Sequence, residues 1–435
     1  MNKDVFATRR HNLMKHIGEG IAIIPTAPVC TRNRDVEYPY RADSDFAYLT
    51  HFPEPEAVAV LAPGRPQGEF IMFCREKDPE KETWDGRRAG LEGACNDYGA
   101  DDAFPIDDID DILPGLLENR PEVHVPMGRY PDFNDRLMGW VSTVQKKARA
   151  GVHAPKRFVD LSEILYELRL IKQTPELRAL KKACTISAKA HKRAMRACKP
   201  GLHEYQIEAE LNYEFRHGGG QAVAYPPIVA GGANACILHY TENSDPLNDG
   251  DLLLIDAGVE YDYYAADITR TFPVNGKYSA EQKELYQVVL AAQQAAIDVT
   301  RPGTLWNEPH DAAVVVLAQG LLDARILKGS LDGVLESGSY KRFYMHRTGH
   351  WLGMDVHDVG EYKIEDTWRQ LEPGMVMTVE PGLYIPGNSI GVHPRWWNIG
   401  IRIEDDVVIK KKTDVEILSS ATPKTVEDIE QWMAG

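Results

Sequence analysis

The sequence predicts an α+β protein of two domains, in which an N-terminal α/β domain precedes a larger C-terminal domain. Three observations support this prediction. The chain has 435 residues, which is more than one compact core usually holds. Strand-like and helix-like segments alternate up to about residue 158, a pattern typical of an α/β domain. Further along, a helix pair followed by a strand pair occurs twice.

In the N-terminal part, apolar runs that end at Pro or Gly predict strands at 20–25 and 57–64, with another at 70–74. The charged segment REKDPEKETWDGRR that follows predicts an exposed loop. Helices are expected at 107–119, with an interruption at Pro114-Gly115, and at 132–147. A phosphate-binding glycine motif is missing from this part of the sequence, so no nucleotide site is predicted.

A helix at 161–170 leads to the predicted domain boundary at about Gln173. Thr174 is a suitable N-cap for the next helix, since Pro175 fits the first helical position and Glu176 lies in the first turn. We therefore predict the domains 1–173 and 174–435.

In the C-terminal part, the same order of helices and strands occurs twice, which indicates one structural unit used twice. In each half, two helices precede two strands that carry acidic residues. The predicted helices are 175–198 and 204–217 in the first half, and 279–300 and 308–324 in the second. Ser279 and Gln282 have the spacing of a capping box. Each half would supply carboxylates to a shared centre.

Composition and charge exclude several classes of protein. The formal net charge of −16 argues against a nucleic-acid partner, which normally requires a basic surface. The apolar runs are too short to cross a membrane, and the N-terminus has no apolar signal region. The 6 cysteines form no C-x-x-C pair, so we expect reduced thiols in a cytoplasmic protein and no thiolate metal site.

Asp256 and Asp267 are the first candidate metal ligands. Asp256 ends the apolar strand LLLI, and Asp267 lies in a second strand-like run, YYAADITRTF. A hairpin with Tyr261-Asp262 at its tip would place the two carboxylates directly opposite each other, about 5 Å apart. Two like charges at that distance repel each other, which favours a cation between them. A turn-capping acid and a solvent-facing acid are an equally good interpretation of this segment alone.

Three of the 14 histidines lie within MHRTGHWLGMDVHDVG, at positions 346, 350 and 357. His346 and His350 have the i, i+4 spacing of a zinc-protease helix, but Arg347 replaces the glutamate base of that motif. Gly349 and Gly353 also disfavour a helix. The pattern indicates a loop that offers one metal ligand and further polarising imidazoles, although three structural histidines would give the same pattern.

Two more acids complete the candidate site. Glu380 ends the run MVMTV, and Glu404 follows Arg402 in the strand NIGIRIEDDVVI, on the side opposite to the isoleucines. Four carboxylates and one imidazole suit Mn²⁺, Mg²⁺ or Fe²⁺ better than a thiolate-binding metal. The set also suffices for two ions with bridging carboxylates.

These motifs, in the order IDAG, AADITRTFPV, HWLGMDVHDVG, TVEPGLY and GIRIEDD, closely resemble aminopeptidase P, the Xaa-Pro aminopeptidase branch of the pita-bread metallopeptidases. The segments EYPYRADSDFAYLTHFPEPEAV, TWDGRR and LRLIKQTPEL extend the resemblance over essentially the whole chain. The resemblance implies a pita-bread C-terminal domain that removes the first residue from peptides with proline second. It also implies attack by a metal-bridging hydroxide and two divalent ions, most often Mn²⁺, with Zn²⁺, Co²⁺ or Fe²⁺ as alternatives.

The resemblance also implies a role for each matching residue. The implied metal ligands are Asp256, Asp267, His350, Glu380 and Glu404, of which Asp267 and Glu404 would bridge the ions. The implied catalytic residues are Glu380 as general base, His346 and His357 as oxyanion donors, and His239 in the substrate site. Arg402 is also implied to be catalytic, and together with Tyr384 it would orient ligands or support the proline pocket. Tyr225 and Trp84 would wall the cleft, and Asp35 would reach the active site of a neighbouring subunit in a dimer or tetramer.

The sequence departs from the family pattern at three places. Arg347 occupies a position expected to be small, Asp85 replaces an expected aromatic residue, and the segment GNSIGVHPRWWNIGIR resembles an insertion. Arg347 bears on access or specificity, whereas all five ligand positions are intact.

Several alternatives remain open at this point. Prolidase, which cleaves Xaa-Pro dipeptides, would use the same five ligands, and the EYPYR segment favours the aminopeptidase. Organophosphate hydrolysis is a candidate side activity. Methionine aminopeptidase does not require the long N-terminal domain. A non-catalytic pita-bread binding module, or a metal-free creatinase-like enzyme, would be expected to have lost ligands.

Overall fold

The computed structural model describes residues 3–411 and 414–434. The chain forms two compact units, Met1–Leu168 and Arg169–Gly435. The boundary between them falls within the helix Ser162–Leu170, whereas the sequence placed it at about Gln173.

The N-terminal unit contains a mixed sheet with helices and a small separate hairpin. Its helices are α1 (Lys3–Ile17), α2 (Ser44–Thr50), α3 (Pro79–Asp85), α4 (Gly90–Asn96), α5 (Ile109–Leu117), α6 (Pro131–Gln145) and α7 (Ser162–Leu170), which contains the unit boundary. Its strands are β1 (Ile21–Pro25), β2 (Thr31–Asn33), β3 (Val36–Glu37), β4 (Val58–Leu61), β5 (Phe70–Cys74), β6 (Asp102–Pro105), β7 (Glu122–Val125) and β8 (Arg157–Asp160).

The six-stranded sheet has the order β6-β5-β4-β1-β7-β8. Strand β4 runs antiparallel to both β1 and β5, while the β5–β6, β1–β7 and β7–β8 pairs are parallel. Side chains of the sheet pack against α5 and α6, where Leu113, Leu117 and Trp140 are buried. The three strands predicted from apolar runs therefore form the central part of this sheet.

Two local predictions in this unit are wrong. The charged segment predicted as a loop contains α3, because the Asp78 side chain accepts hydrogen bonds from the first turn and Pro79 occupies the first helical position. Helix α5 also continues through Pro114, since Leu113, Pro114 and Leu117 are all buried. Burial of this apolar face outweighs the low helix propensity of proline.

The C-terminal unit consists of short strands with helices packed around them. Its helices are α8 (Thr174–Ala197), α9 (Glu204–His217), α10 (Ala280–Val299), α11 (Glu308–Asp323), α12 (Leu331–Ser337) and α13 (Val426–Met433). Its strands are β9 (Ala222–Val223), β10 (Ile228–Gly231), β11 (Leu252–Asp256), β12 (Val259–Tyr261), β13 (Tyr264–Ala265), β14 (Thr269–Pro273), β15 (Lys363–Ile364), β16 (Thr367–Trp368), β17 (Val376–Val379), β18 (Gly382–Ile385), β19 (Ile399–Arg402), β20 (Asp405–Ile409) and β21 (Val415–Ile417).

The strands form small sheets, which are β10-β11-β14, β13-β12-β9, β17-β20-β21, β18-β19 and the β15-β16 hairpin. Helices α8 and α9 pack against each other, as do α10 and α11. The repeated order of helix pair and strand pair that the sequence indicated is therefore present. The N-cap of α8 is Gln173, which forms a capping box with Glu176, and not Thr174 as predicted.

The hairpin that carries the two aspartates has a different register from the predicted one. Tyr261 pairs with Tyr264, so the tip is Asp262-Tyr263, and both tip residues have positive φ. Asp256 consequently pairs with Thr269, and Asp267 lies in the irregular segment between β13 and β14. The prediction that Asp256 and Asp267 lie directly opposite each other is wrong. The turn is shifted by one residue along the chain, so the residue opposite Asp256 is shifted by two, from Asp267 to Thr269.

None of the helices in the described part of the chain is sufficiently long and apolar to cross a lipid bilayer.

Candidate metal centre and substrate cavity

The five predicted ligands are placed by the ends of strands and by one loop. Asp256 is the last residue of β11, and Asp267 precedes β14. Glu380 follows β17 directly, and Glu404 lies between β19 and β20. The predicted single strand over 398–409 is in fact these two strands, which belong to different sheets. The break between them is the point at which the Glu404 side chain enters the site.

His350 lies in a loop without helical structure, as the glycines around it predict. Its backbone N–H donates to Thr378 Oγ1 at 3.0 Å, which fixes the loop against β17. A Cβ at Gly349 would lie 2.1 Å from the Thr378 carbonyl oxygen, so this close approach requires glycine. The side chain of His350 is thereby directed towards the carboxylates.

All five predicted ligands line one cavity of about 470 Å³ in the C-terminal unit. Ligand atoms of Asp267, His350 and Glu404 all lie within 4.8 Å of one another. His350 Nε2 lies 3.3 Å from Asp267 Oδ2 and 3.6 Å from Glu380 Oε1. Asp256 is joined to the group by Tyr225, whose hydroxyl lies 2.6 Å from Asp256 Oδ1 and 2.5 Å from Asp267 Oδ1.

The charges of the site fit divalent cations. Burial, followed by repulsion from Asp267 and Glu380, raises the pKa of Glu404 well above its ordinary value. Burial also raises the pKa of Glu380 to about 7. Four carboxylates so close together, with one imidazole and one arginine, carry an excess of negative charge that metal ions would neutralise.

The orientation of His350 also fits a metal ligand. Its Nδ1 lies 2.9 Å from the Trp351 carbonyl oxygen, which can only accept a hydrogen bond. Nδ1 must therefore carry a proton, and a cation would bind at Nε2. Burial alone would lower the pKa of His350, but the carboxylates of Asp267 and Glu380 raise it to about 9, so Nε2 is also protonated when no cation is bound and a metal ion would displace that proton.

Polar residues around the ligands hold them in place. Arg402 Nη2 donates to Asp256 Oδ2 at 2.6 Å, and Thr269 Oγ1 donates to Glu404 Oε2 at 2.6 Å. Arg402 Nη1 also donates to the Tyr384 hydroxyl at 3.0 Å. Tyr384 is fully buried and does not line the cavity, so it supports the site from behind.

The three remaining cavity histidines differ in their hydrogen bonding. His346 Nδ1 donates to the Arg347 carbonyl oxygen at 2.7 Å, and its Nε2 accepts from the Tyr384 hydroxyl at 2.8 Å. Burial lowers the pKa of His346 to about 3, so this imidazole is neutral. His357 and His239 line the cavity, and neither has a hydrogen bond to another described residue. The His357 ring lies 4.4 Å from the ring of His350.

Two predicted substrate-site residues belong to the N-terminal unit. Trp84 lies in α3 with 88% of its surface exposed, and Asp35 lies in the exposed turn between β2 and β3. Their roles in substrate binding stay predictions.

Several residues that the sequence did not single out contact the predicted ligands or the peptide groups beside them. Among them are Thr269, Thr378 and Gln293. Thr378 is two residues before Glu380 in the strand-like run MVMTVE, so the alternation expected of a strand places both on one face and could have identified Thr378. Gln293 gives no such signal, because a glutamine within a helix is ordinary.

Comparisons with known proteins agree with this geometry. Residues 178–411 match the model of metallopeptidase family M24, and residues 6–125 match the aminopeptidase P N-terminal domain. The Xaa-Pro aminopeptidase of Haemophilus influenzae is 42% identical over 99% of this chain and 97% of its own.

Solved structures agree as well. The Pseudomonas aeruginosa aminopeptidase PepP has 55% identity and a TM-score of 0.99, over 100% of this chain and 98% of its own. The proline aminopeptidase P II of Yersinia pestis has 44% identity and a TM-score of 0.96, over 100% of both chains. These matches confirm the predicted fold, a pita-bread domain preceded by an α/β domain. The chain belongs to metallopeptidase family M24, which uses divalent metals, and within it to the aminopeptidase P enzymes.

Proposed function

We propose that this chain is a dinuclear metal-dependent aminopeptidase that hydrolyses the bond between an N-terminal residue and a following proline. The observation that carries the proposal is the group of four carboxylates and one imidazole around one cavity. The full-length similarity to Xaa-Pro aminopeptidases supplies the preference for proline. The same similarity favours an aminopeptidase over a prolidase or a non-catalytic binding module.

Each ligand would have a defined role in binding the two ions. Asp256 would bind one, Asp267 and Glu404 would bridge both, and His350 and Glu380 would complete the second. The set of hard oxygen ligands favours Mn²⁺, with Zn²⁺, Co²⁺ and Fe²⁺ as alternatives. When bound, such ions supply a nucleophilic water at neutral pH and polarise the carbonyl of the scissile bond.

The protein groups then position the substrate and move protons. Glu380 would act as general base and pass a proton towards the leaving proline nitrogen. His357, whose ring nitrogens have no partner among the described residues, would donate to the developing oxyanion. For His346 to act in the same way, its Nε2 would have to gain a proton as well as release Tyr384, because it accepts a hydrogen bond from that hydroxyl. His239 and Tyr225 would contact the bound peptide, while Arg402 and Tyr384 keep Asp256 in place.

Trp84 would wall the substrate cleft, and Asp35 would reach the active site of a neighbouring subunit in a dimer or tetramer. We also propose that the enzyme acts in the cytoplasm, which agrees with six free cysteines in the described chain.

Metal-depleted protein tests the proposal. Adding Mn²⁺ should restore cleavage of Xaa-Pro-Xaa tripeptides, with little activity on Xaa-Pro dipeptides, and Zn²⁺, Co²⁺ and Fe²⁺ assayed in parallel rank the metals. Glu380→Ala should remain inactive with every metal. The proposal is wrong if no metal binds, or if the dipeptides are the better substrates.

A further inference from the structure

Arg347 is an exposed cation on the wall of the catalytic cavity. It lines the same cavity as the five metal-binding residues. Its neighbour His346 donates to its backbone carbonyl at 2.7 Å, which fixes the main chain at this point. The side chain therefore starts from a rigid part of the site.

The guanidinium of Arg347 is held over an aromatic ring. Its Cζ lies 5.2 Å from the centre of the Trp368 ring, and the Nζ of Lys363 lies 4.5 Å from the same ring. Lys363 and Trp368 are paired residues of the β15–β16 hairpin. Stacking of this kind restrains an arginine without neutralising it.

The guanidinium of Arg347 forms no ion pair with a carboxylate of the described residues. No carboxylate in the described parts of the chain, 3–411 and 414–434, lies within 4 Å of its side-chain nitrogens. Arg402, the other arginine that lines the cavity, is 4% exposed and bonded to Asp256. Arg347 is thus an exposed cation of the cavity wall, and its guanidinium can bind an anion that enters from solvent.

An aminopeptidase places the N-terminal residue of its substrate at the buried metal ligands, so the rest of the peptide must leave through the open side of the cavity. Arg347 is exposed whereas Glu404 and Asp267 are buried, which favours a position of its side chain near the open side. Residues that follow the proline would therefore pass close to the guanidinium.

We propose that Arg347 is a specificity residue that selects peptides with a carboxylate after the proline. The carboxylate is either an acidic side chain at the third position or the C-terminus of a tripeptide. This inference rests on the proposed function. An ion pair at a partly exposed site, strengthened by the fork geometry of arginine, predicts a preference of about three- to tenfold in kcat/KM.

Matched peptides on the Mn²⁺-loaded enzyme test the inference. The ratio of kcat/KM for Xaa-Pro-Glu-amide to that for Xaa-Pro-Gln-amide measures the effect of the side-chain carboxylate. The ratio of kcat/KM for Xaa-Pro-Gln with a free C-terminus to that for its amide measures the effect of the terminal carboxylate. At least one ratio should exceed about threefold and should fall as salt is added, because exposed charges are screened. Arg347→Gln should bring that ratio close to unity, and Arg347→Lys should retain part of it.

Arg395→Gln is the matched control. Arg395 is also exposed and stacked, with its Cζ 4.6 Å from the centre of the Trp396 ring, but it does not line the cavity. The kcat/KM ratios of the Arg395→Gln variant should equal those of the wild type. The inference is overturned if both wild-type ratios are close to unity, or if Arg347→Gln leaves them unchanged, while Xaa-Pro peptides are still cleaved. If no Xaa-Pro peptide is cleaved, the proposed function itself fails, and the inference fails with it.

Discussion

Glu404 receives a hydrogen bond from a threonine on the neighbouring strand β14. Thr269 Oγ1 lies 2.6 Å from Glu404 Oε2 and also accepts from Arg402 Nε at 3.2 Å. The threonine is fully buried, so its hydroxyl cannot be replaced by bulk water. Replacement of a residue that orients a metal ligand in this way typically lowers metal affinity by about 10- to 100-fold.

Thr269→Val should weaken metal binding by about tenfold, because it keeps the shape of the side chain and removes the donor to Glu404. Titration of metal-depleted protein with Mn²⁺ measures this change. Thr271→Val is the matched control, since Thr271 is equally buried on the same strand but donates to the Arg402 carbonyl oxygen. Equal metal affinities in both variants would show that the Thr269 hydroxyl does not act through Glu404.

Individual residues of the site could be predicted where a charged side chain follows an apolar run in the sequence. A carboxylate at the end of an apolar strand, as at Asp256 and Glu380, is costly to bury without a partner and therefore stands out in the sequence. Thr269 does not stand out, because threonine is common in strands. A residue such as Thr269, which orients a ligand on another strand, can be identified only when the neighbouring strand is known.

At the scale of elements, α10 bonds to the backbone just before two of the predicted ligands. Gln293 Nε2 donates to the carbonyl oxygens of Val379 at 3.2 Å and Ile403 at 3.1 Å. These residues directly precede Glu380 and Glu404. One buried side-chain amide therefore ties together the backbones that carry two predicted ligands from different sheets.

Gln293→Leu should lower both stability and metal affinity. Two buried carbonyl groups would lose a donor, which predicts a decrease in the free energy of unfolding of about 1–3 kcal/mol. Thermal unfolding and Mn²⁺ titration of the same sample measure the two effects. Gln294→Leu is the control, because Gln294 is exposed and bonds only to Asp298 among the described residues. A stability loss with unchanged metal affinity would contradict the positioning role.

The existence of most elements could be predicted from apolar runs and caps, whereas register could not. Ser279 and Gln282 form the predicted capping box, and β5 has the predicted bounds. The β12–β13 turn depends on two consecutive residues with positive φ, Asp262 and Tyr263, and a tyrosine gives no local signal for that conformation. An error of one residue in the turn became an error of two in the aspartate pairing.

At the scale of the whole molecule, most of the buried aspartates and glutamates among the described residues lie in the C-terminal unit, while Asp43 and Asp45 are buried in the N-terminal unit. The two-fold use of helices and strands could be predicted from the sequence, because each helix pair has its own caps and stop signals. The arrangement of its short strands in several small sheets could not, since the sequence of an isolated two- to five-residue strand does not specify its partner.

The pH dependence of global stability should contain a contribution from His191 in α8. This fully buried imidazole donates from Nε2 to the Ala257 carbonyl oxygen at 3.0 Å. Its Nδ1 is buried without a hydrogen-bond partner in the described chain. Protonation would create a second buried donor with no acceptor, and burial lowers the pKa of His191 to about 4.

The unfolded state, in which a histidine has a pKa of about 6.5, binds more protons than the folded state between these two values. The stabilising contribution is therefore fully present above about pH 6.5 and is lost as the pH falls towards 4. Between about pH 7.5 and pH 5, metal-depleted wild type should lose about 2 kcal/mol more than His191→Gln in the free energy of unfolding. Urea unfolding at each pH measures this difference. His217→Gln, which alters an exposed histidine of α9, should follow the wild-type curve, and parallel curves for wild type and His191→Gln would show that His191 does not contribute.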